Sequence, residues 1–575
     1  MVAIAMIPLG RWVGYYLETI PDTVSAYSVN LTGSIAGIWF LAILAFLWLS
    51  PAYWFAVAFA LILLVEPLSW RTSLLACCLL AISLFALNKA DPNSVYWSPY
   101  QKLSITARGN QQYQIDVNNV GYMSIANLTP AYLKMNPELA DSYQNSSYDS
   151  PFRFANSTDQ VLVVGAGAGN DVAAALRHGA AHVDAVEIDP LISTLGRRLH
   201  PEQPYSSPRV HLITNDARNF MRQTHQKYDV VIFGLLDSHT EFSGYSNMRV
   251  DNYVYTEQSF LDAKRLLKPD GILILKFFVR QPWTWMGQRF YTMLGGVFLH
   301  PPVTYDAPQV GALFNATVFI ESNSPSLWQK TLTSPDSEFL AAHTPVFSLT
   351  SNGAPPPTTD DWPYVYNRGH FVPRAYFSVS AILLALALYL AGPSVKPRKS
   401  STWQFFLLGA GFLLMETQMV SRLALYFGTT WLVNCVALTG ILAVLLLANA
   451  YVSRKRPQNL NVFYAILCVA LLSNYLIPFA QIPGSGTWIG ILVCIAYCIP
   501  FLLAGVIFTE SFRRVDGSSD AFGANMLGAV AGGLAQNISF IFGMKALLLL
   551  AALVYSAAAL LQIVKPLRAF VAESS

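Results

Sequence analysis

A glycine-rich turn, GAGAGND at 165–171, is followed about twenty residues later by Glu187 and Asp189, and then by Asp216 and Asp237. Gly165, Gly167 and Gly169 let a backbone turn tightly and come close to a ligand, with Asp171 closing the motif. A helix that starts at such a turn offers free N–H groups to an anion or a polar ligand. An acid at the spacing of Glu187 can accept hydrogen bonds from both hydroxyls of a ribose. The chemistry these residues suit is nucleoside binding.

The surrounding pattern supplies the elements such a site needs. VLVV (161–164) is a short apolar run, as a central parallel strand should be, and the helix VAAALRHG follows the turn. The strand HVDAVEID carries Glu187 and Asp189 at its end. RVHLITNDARNF (209–220) presents Asp216 after a third strand, and KYDVVIFGLLDS (227–238) presents Asp237 after a fourth. DGILILKFF (270–278) is a fifth, preceded by the helix YTEQSFLDAKRLLKP. Ligands of open α/β sheets sit beyond the carboxyl ends of the strands, where these acids lie. Any one of them alone reads equally well as a helix cap. Together they point to a site.

Composition places this α/β unit in an unusual setting. Of 575 residues, 54% are hydrophobic and only 12% charged, about half the charge of a soluble domain. The apolar residues gather into runs long enough to cross hydrocarbon as helix. Three precede the polar region, at roughly 33–49, 52–66 and 72–88. Seven follow it, at roughly 375–392, 403–427, 430–451, 460–480, 487–508, 520–543 and 546–563. The fold class expected is a multi-pass α-helical membrane protein with an inserted Rossmann-like, class I methyltransferase-type α/β domain. The expected divisions are a transmembrane block at 1–88, a small β-rich part at 89–150, the nucleoside-binding domain at 151–345, a linker at 346–374 and a second transmembrane block at 375–575. The net charge of +3 argues against a nucleic-acid partner. All six cysteines fall in apolar runs, which excludes a disulfide or cysteine-based zinc site in the polar domain, and no metal is expected. The first residues lack the marks of a cleavable signal peptide.

AYSVNLTGSIAG (26–37) and AFGANMLGAVAG (521–532) form an internal repeat, in which Asn30, Gly33 and Gly37 match Asn525, Gly528 and Gly532. Glycines four apart on an apolar helix let another helix approach closely, and an Asn can hydrogen-bond across. Coincidental small-residue packing is the plainer explanation; related helix blocks flanking the polar domain are the richer one. Lys396, Arg398, Lys399, Arg454, Lys455, Arg456, Arg513, Arg514, Lys565 and Arg568 fall on one side of the counted spans, against Arg422 and Lys545 on the other. The positive-inside rule puts the rich side in the cytoplasm and the polar domain outside it.

VLVVGAGAGNDVAAAL, VEIDP, the NDA after the third strand and YTEQSFLDAKRLLKPDGIL resemble the core of the polyamine aminopropyltransferases, the spermidine and spermine synthases. SPYQKLSI (98–105) is similar to that family's Y-Q segment, which opens a small N-terminal β-domain. TDDWPY (359–364) and GFLLMETQMVSRLALYFG (411–428) look like membrane-anchored bacterial relatives, which implies an inner-membrane location. The resemblance covers roughly 96–300. It implies transfer of an aminopropyl group from decarboxylated S-adenosylmethionine to an amine, with Glu187 on the ribose, Asp216 and Ala217 along the adenine, Asp189 nearby, and Gln101 on the nucleoside or amine. It leaves a homodimer open. One departure stands out: the family's D-S-[ST]-D-P loop reads Gly234-Leu235-Leu236-Asp237-Ser238 here, so only the second aspartate survives. Asp237 and His239 are the catalytic candidates, with Glu241 or Asp251 as substitutes. Two other functions stay open: S-adenosylmethionine-dependent methyl transfer to a membrane-associated acceptor, and a transporter or sensor that binds a nucleoside or polyamine without turnover. Glu416, an acid within an apolar run, motivates the last.

Overall fold

The computed structural model describes residues 2–65, 69–89, 94–236, 253–308, 315–350, 352–391, 400–477, 487–515 and 518–573. The chain divides into two compact units, one made of Leu41–Gly369 with Gly428–Trp431, the other of Met1–Phe40, His370–Phe427 and Leu432–Ser575.

The first unit contains two sheets. β1 (Ser94–Trp97), β2 (Lys102–Gly109), β3 (Gln112–Val117) and β4 (Val120–Ile125) form an antiparallel meander in chain order. Its β2–β3 and β3–β4 turns use Asn110-Gln111 and Asn118-Asn119, all at positive φ, the backbone that two-residue hairpins require. The second sheet holds β5 (Gln160–Val164), β6 (His182–Glu187), β7 (Val210–Thr214), β8 (Tyr228–Phe233), β9 (Leu267–Phe277), β10 (Val303–Pro308) and β11 (Asn315–Ser322). Their order is β10-β11-β9-β8-β5-β6-β7, with β5 to β9 parallel and β11 antiparallel to β9. The chain winds outward from β5 through β6 to β7, then returns to β8 on the other side of β5. That reversal opens a crevice at the carboxyl ends of β5 and β8.

The five parallel strands are those expected, with two shifts. The helix before β9 ends at Leu266 rather than running on to Pro269, because the residue ahead of a proline is driven toward extended backbone. β10 and β11 extend the sheet beyond the strands read from the sequence. Both faces of the sheet are buried: Val161, Val163, Val230 and Ile232 point to one layer, Leu162, Val164, Val231 and Phe233 to the other.

The stretch after the sheet is knit into the same unit by two arginines. Arg289, wholly buried between Trp285 and Trp362, donates to the carbonyls of Pro356, Val365 and Asn367. Arg218 pairs with Asp360 of the TDDWPY segment and with Asp262.

The second unit is helical. Among the described residues of the whole chain, Val24–Phe46, Trp431–Lys455 and Leu492–Arg513 are helices long and apolar enough to cross a membrane, and five shorter apolar helices accompany them. Among the described residues each apolar run read from the sequence falls mainly on helix, the one at 520–543 broken into Ser518–Ala535, a short turn Gln536–Ile538 and Ser539–Phe542, and Val2–Thr19 adds a helix that was not expected. The later copy of the repeat is a packing seam. A Cβ at Gly528 would lie 1.8 Å from the Phe406 carbonyl oxygen, and one at Gly532 2.3 Å from that of Ala410. Asn525 donates across to the Phe405 carbonyl at 3.2 Å. At Gly33 and Gly37 of the earlier copy, no atom of another element lies within 4 Å of the corresponding positions among the described residues.

Candidate functional site

The glycine turn is held from both sides. Gly165 and Ala166 donate their N–H groups to the Val186 carbonyl at 2.9 and 3.0 Å, which lays the turn over the end of β6. The Tyr205 hydroxyl donates to the carbonyls of Ala166 and Gly167 at 3.1 and 2.7 Å. Gly165, Gly167 and Gly169 have φ of 70°, 55° and 106°, a region costly to any residue with a Cβ. Asn170 opens the helix that follows (Asn170–Arg177). Its side chain accepts from the Ala126 N–H and donates to the Ser124 carbonyl and the Tyr148 hydroxyl, so the small β-sheet is welded to the turn.

Glu187 ends β6 with its carboxylate on the crevice. One oxygen accepts the Gly167 N–H at 2.8 Å, the other the Asp189 N–H at 2.9 Å. Burial pushes its pKa up to about 7, against those N–H groups, which favour the ionised form. A carboxylate has roughly four lone-pair directions, so acceptor capacity remains on the cleft side for ribose hydroxyls.

Asp189 caps the helix Pro190–Leu199 through the Leu191 N–H at 2.9 Å. Its second oxygen accepts from the Ser98 hydroxyl at 2.7 Å and the Gln101 amide at 3.3 Å. Burial raises its pKa, and these bonds oppose the rise. Gln101 is thereby anchored where the β-sheet meets the crevice. Asp216 caps Ala217–Gln223 by accepting the Asn219 N–H at 2.8 Å.

These residues surround one cleft. Gly165, Gly167, Glu187, Asp189, Asp216 and Ala217 supply the α/β side; Tyr100, Gln101, Tyr122 and Met123 supply the wall from the small sheet. Leu235, Leu236 and Val254 make the remaining face apolar. Leu236 lies directly on the turn: a Cβ at Gly165 would fall 1.6 Å from its Cδ2.

Two expected residues stand elsewhere. Asp171 does not line the cleft; its carboxylate pairs with the buried Lys276 ammonium of β9, which needs a counter-charge there. Gly169 packs on Pro204 and Tyr205 rather than on the cleft. Asp237, His239, Glu241 and Asp251 lie outside the described residues. Sequence reasoning missed Lys276, although a single lysine inside ILILKFF signals a buried charge that must find a partner. It also missed Tyr100, whose neighbour Gln101 it had noted. Among the described residues, no group of three His, Cys, Asp or Glu side chains is placed to hold a metal ion.

A family profile described as "Spermine/spermidine synthase domain" matches residues 140–285. The chain is similar to the polyamine aminopropyltransferase of Vibrio vulnificus (strain CMCP6), 30% identical over 129 residues, covering 22% of this chain and 40% of that protein. It is 25% identical over 182 residues to polyamine aminopropyltransferase 2 of Aquifex aeolicus (strain VF5), covering 31% of this chain and 33% of that protein. The polyamine aminopropyltransferase of Pyrobaculum calidifontis aligns over 267 residues at 25% identity, 45% of this chain and 76% of that protein. The chain thus spans two fifths or less of the Vibrio and Aquifex relatives. The crystal structure of spermidine synthase from Thermotoga maritima is similar with a TM-score of 0.33 and 14% identity, covering 45% of this chain and 81% of that one.

Proposed function

We propose that the chain, whose residues 140–285 match the spermine/spermidine synthase domain, is a transferase of that family that binds decarboxylated S-adenosylmethionine in the Glu187–Asp216 cleft and passes its aminopropyl group to an amine. The observation that carries this reading is Glu187. It is buried at the end of β6, held by Gly167 and Asp189, and faces the cleft with acceptor capacity left for a ribose diol.

In the reaction the amine nitrogen attacks the propyl carbon attached to sulfur. The carbon–sulfur bond breaks, its electron pair returns to the sulfonium sulfur, and methylthioadenosine leaves neutral. The new ammonium gives its proton to a base within hydrogen-bond reach. Asp237 and His239 are proposed for that base. Purified protein incubated with decarboxylated S-adenosylmethionine and putrescine should release methylthioadenosine. No nucleoside binding, or binding indifferent to Glu187→Ala, overturns the proposal.

A second reading has its own support in Gly234, Leu235 and Leu236. Leu235 and Leu236 leave an apolar cleft face, and Gly234 stands where the family carries an aspartate, which suits methyl transfer to a membrane-associated acceptor. Intact S-adenosylmethionine would then give adenosylhomocysteine in the same assay.

The apolar helices support a multi-pass chain in a bilayer, and the loop charges support a cleft on the face opposite the basic loops. A cysteine introduced at Asn110 in a cysteine-free background should react with an impermeant maleimide in intact cells. Protection until lysis places the domain on the other side.

A further inference from the structure

Asp216 is 3% exposed and well supplied with donors. Beyond its cap to Asn219, its second oxygen accepts the N–H of Thr429 at 3.2 Å and the Thr429 hydroxyl at 2.7 Å. The segment Gly428–Trp431 belongs to the same compact unit as the cleft. Its close approach is built into the backbone. Gly428 has φ of +87°, and a Cβ there would stand 2.6 Å from the Asp216 Cβ and 3.4 Å from that of Asn219. Both the conformation and the space admit only glycine comfortably. Three residues on, the Trp431 main chain hydrogen-bonds the hydroxyl of Tyr100, which lines the cleft from the small sheet. Four residues therefore hold two cleft walls that come from different sheets.

We propose that Gly428–Trp431 is the positioning element of the nucleoside cleft, and that Thr429 fixes the Asp216 carboxylate for a single donor from an aminopurine base. The inference rests on the nucleoside reading of the cleft. Of the roughly four acceptor directions of a carboxylate, Asn219 and Thr429 fill three. One direction is left, on a carboxylate unable to rotate. An exocyclic amine can donate into it. An oxo group at the same position of the purine brings a second acceptor and leaves both unsatisfied. Thr429 is a positioning residue in this scheme, acting on the base through Asp216.

The test measures dissociation constants of methylthioadenosine and methylthioinosine for the full chain in lipid nanodiscs. Thr429→Val removes the hydroxyl and keeps the shape; it should weaken methylthioadenosine about tenfold, because the carboxylate, no longer held in its orientation, must be ordered when the base binds. Methylthioinosine should change by less than roughly twofold, so the preference for the amine collapses. Thr429→Ser should restore methylthioadenosine to within about threefold of the native chain. If Thr429→Val fails to fold, Thr429→Ala takes its place with the same expectation. Unchanged methylthioadenosine affinity, equal weakening of both nucleosides, or no rescue by serine each overturns the inference while leaving the cleft a nucleoside site. A native chain that binds neither nucleoside overturns the nucleoside reading and this inference with it.

Discussion

Arg218 grips Asp360 with both terminal nitrogens, each 3.1 Å from a different carboxylate oxygen, across 142 residues of chain. The pair is almost fully buried, with side chains 4% and 10% exposed. Thr256 adds its hydroxyl to Asp360 at 2.8 Å, and Arg218 also reaches Asp262 and the Tyr253 carbonyl. Arg218 sits two residues beyond Asp216 on the same short helix. The contact therefore ties the TDDWPY segment to the helix that carries a cleft acid.

Breaking that pair should cost more than a surface ion pair would. Asp360→Ala leaves a guanidinium buried with part of its charge uncompensated, at about 3–5 kcal/mol of stability. Thermal unfolding of the variant should show the loss directly. Because the Asp216 helix is released at the same time, nucleoside affinity should fall as well. A variant that melts like the native chain would mean that the segment is held mainly by Arg289 and its carbonyl partners.

Glu187 makes both stability and binding depend on pH. Its pKa rises from an ordinary 4.5 to about 7 in the folded chain, chiefly through burial. Between those values the folded state holds the proton more tightly than the unfolded chain. Stability from this group is thus present at low pH, falls as pH rises through the window from 4.5 to 7, and stays lost above it, by about 3 kcal/mol. Ribose hydroxyls donate best to the ionised carboxylate, so binding should run the other way. Methylthioadenosine affinity should climb with pH through about 7, with proton release visible as a buffer-dependent binding enthalpy. Glu187→Gln should bind weakly at every pH. A native affinity that is flat across this range would show that Glu187 does not meet the ribose.

The glycine turn, the parallel strands and the positions of Glu187, Asp189 and Asp216 at their ends were legible because each rests on local pattern. Apolar runs of strand length, glycines that punctuate them and an acid at fixed spacing are all read within some thirty residues. Asp171 shows where that locality fails. Its position in the first helical turn fits a ligand contact equally well as an inward ion pair, and only Lys276, 105 residues later, decides for the pair. Thr429 lies in a short connection between apolar runs, where nothing local distinguishes a plain turn from a contact to Asp216. β10 and β11 escaped because Pro301, Pro302 and Pro308 frame them as loop. The apolar helices were legible from composition, while the partners of their glycines were not. Gly528 and Gly33 occupy matching places in the repeat, and among the described residues only Gly528 meets a neighbouring backbone.

The buried Lys276–Asp171 pair is a second place where one partner cannot be removed alone. Lys276 is 1% exposed, on a central strand, with its ammonium 4.6 Å from the centre of the Tyr148 ring. Lys276→Met should destabilise the chain by about 3–5 kcal/mol, because Asp171 is left charged and buried. Adding Asp171→Asn should recover much of that loss, since a neutral amide is far cheaper to bury than a lone carboxylate. Denaturant melts of the two single variants and the double one measure the coupling. Additive losses would mean that the two groups stabilise the fold independently.

The missing family aspartate invites its restoration by Gly234→Asp, and the geometry says that this should fail. A Cβ at Gly234 would lie 2.6 Å from the Gly165 carbonyl oxygen and 3.4 Å from that of Val164. Both atoms are backbone, and Gly234 donates its N–H to the Val164 carbonyl at 3.0 Å, so neither strand end has room to yield. The side chain would have to push β8 from β5 at the mouth of the cleft. Overpacking of this kind costs about 1–3 kcal/mol. Gly234→Asp should therefore melt earlier and bind methylthioadenosine less well than the native chain, without gaining turnover. Gly234→Ala should show nearly the same loss, because the first carbon already makes the clash. An aspartate variant that folds normally and turns over faster would mean that β5 and β8 part readily here, and that the glycine is an absent catalytic group rather than a packing requirement.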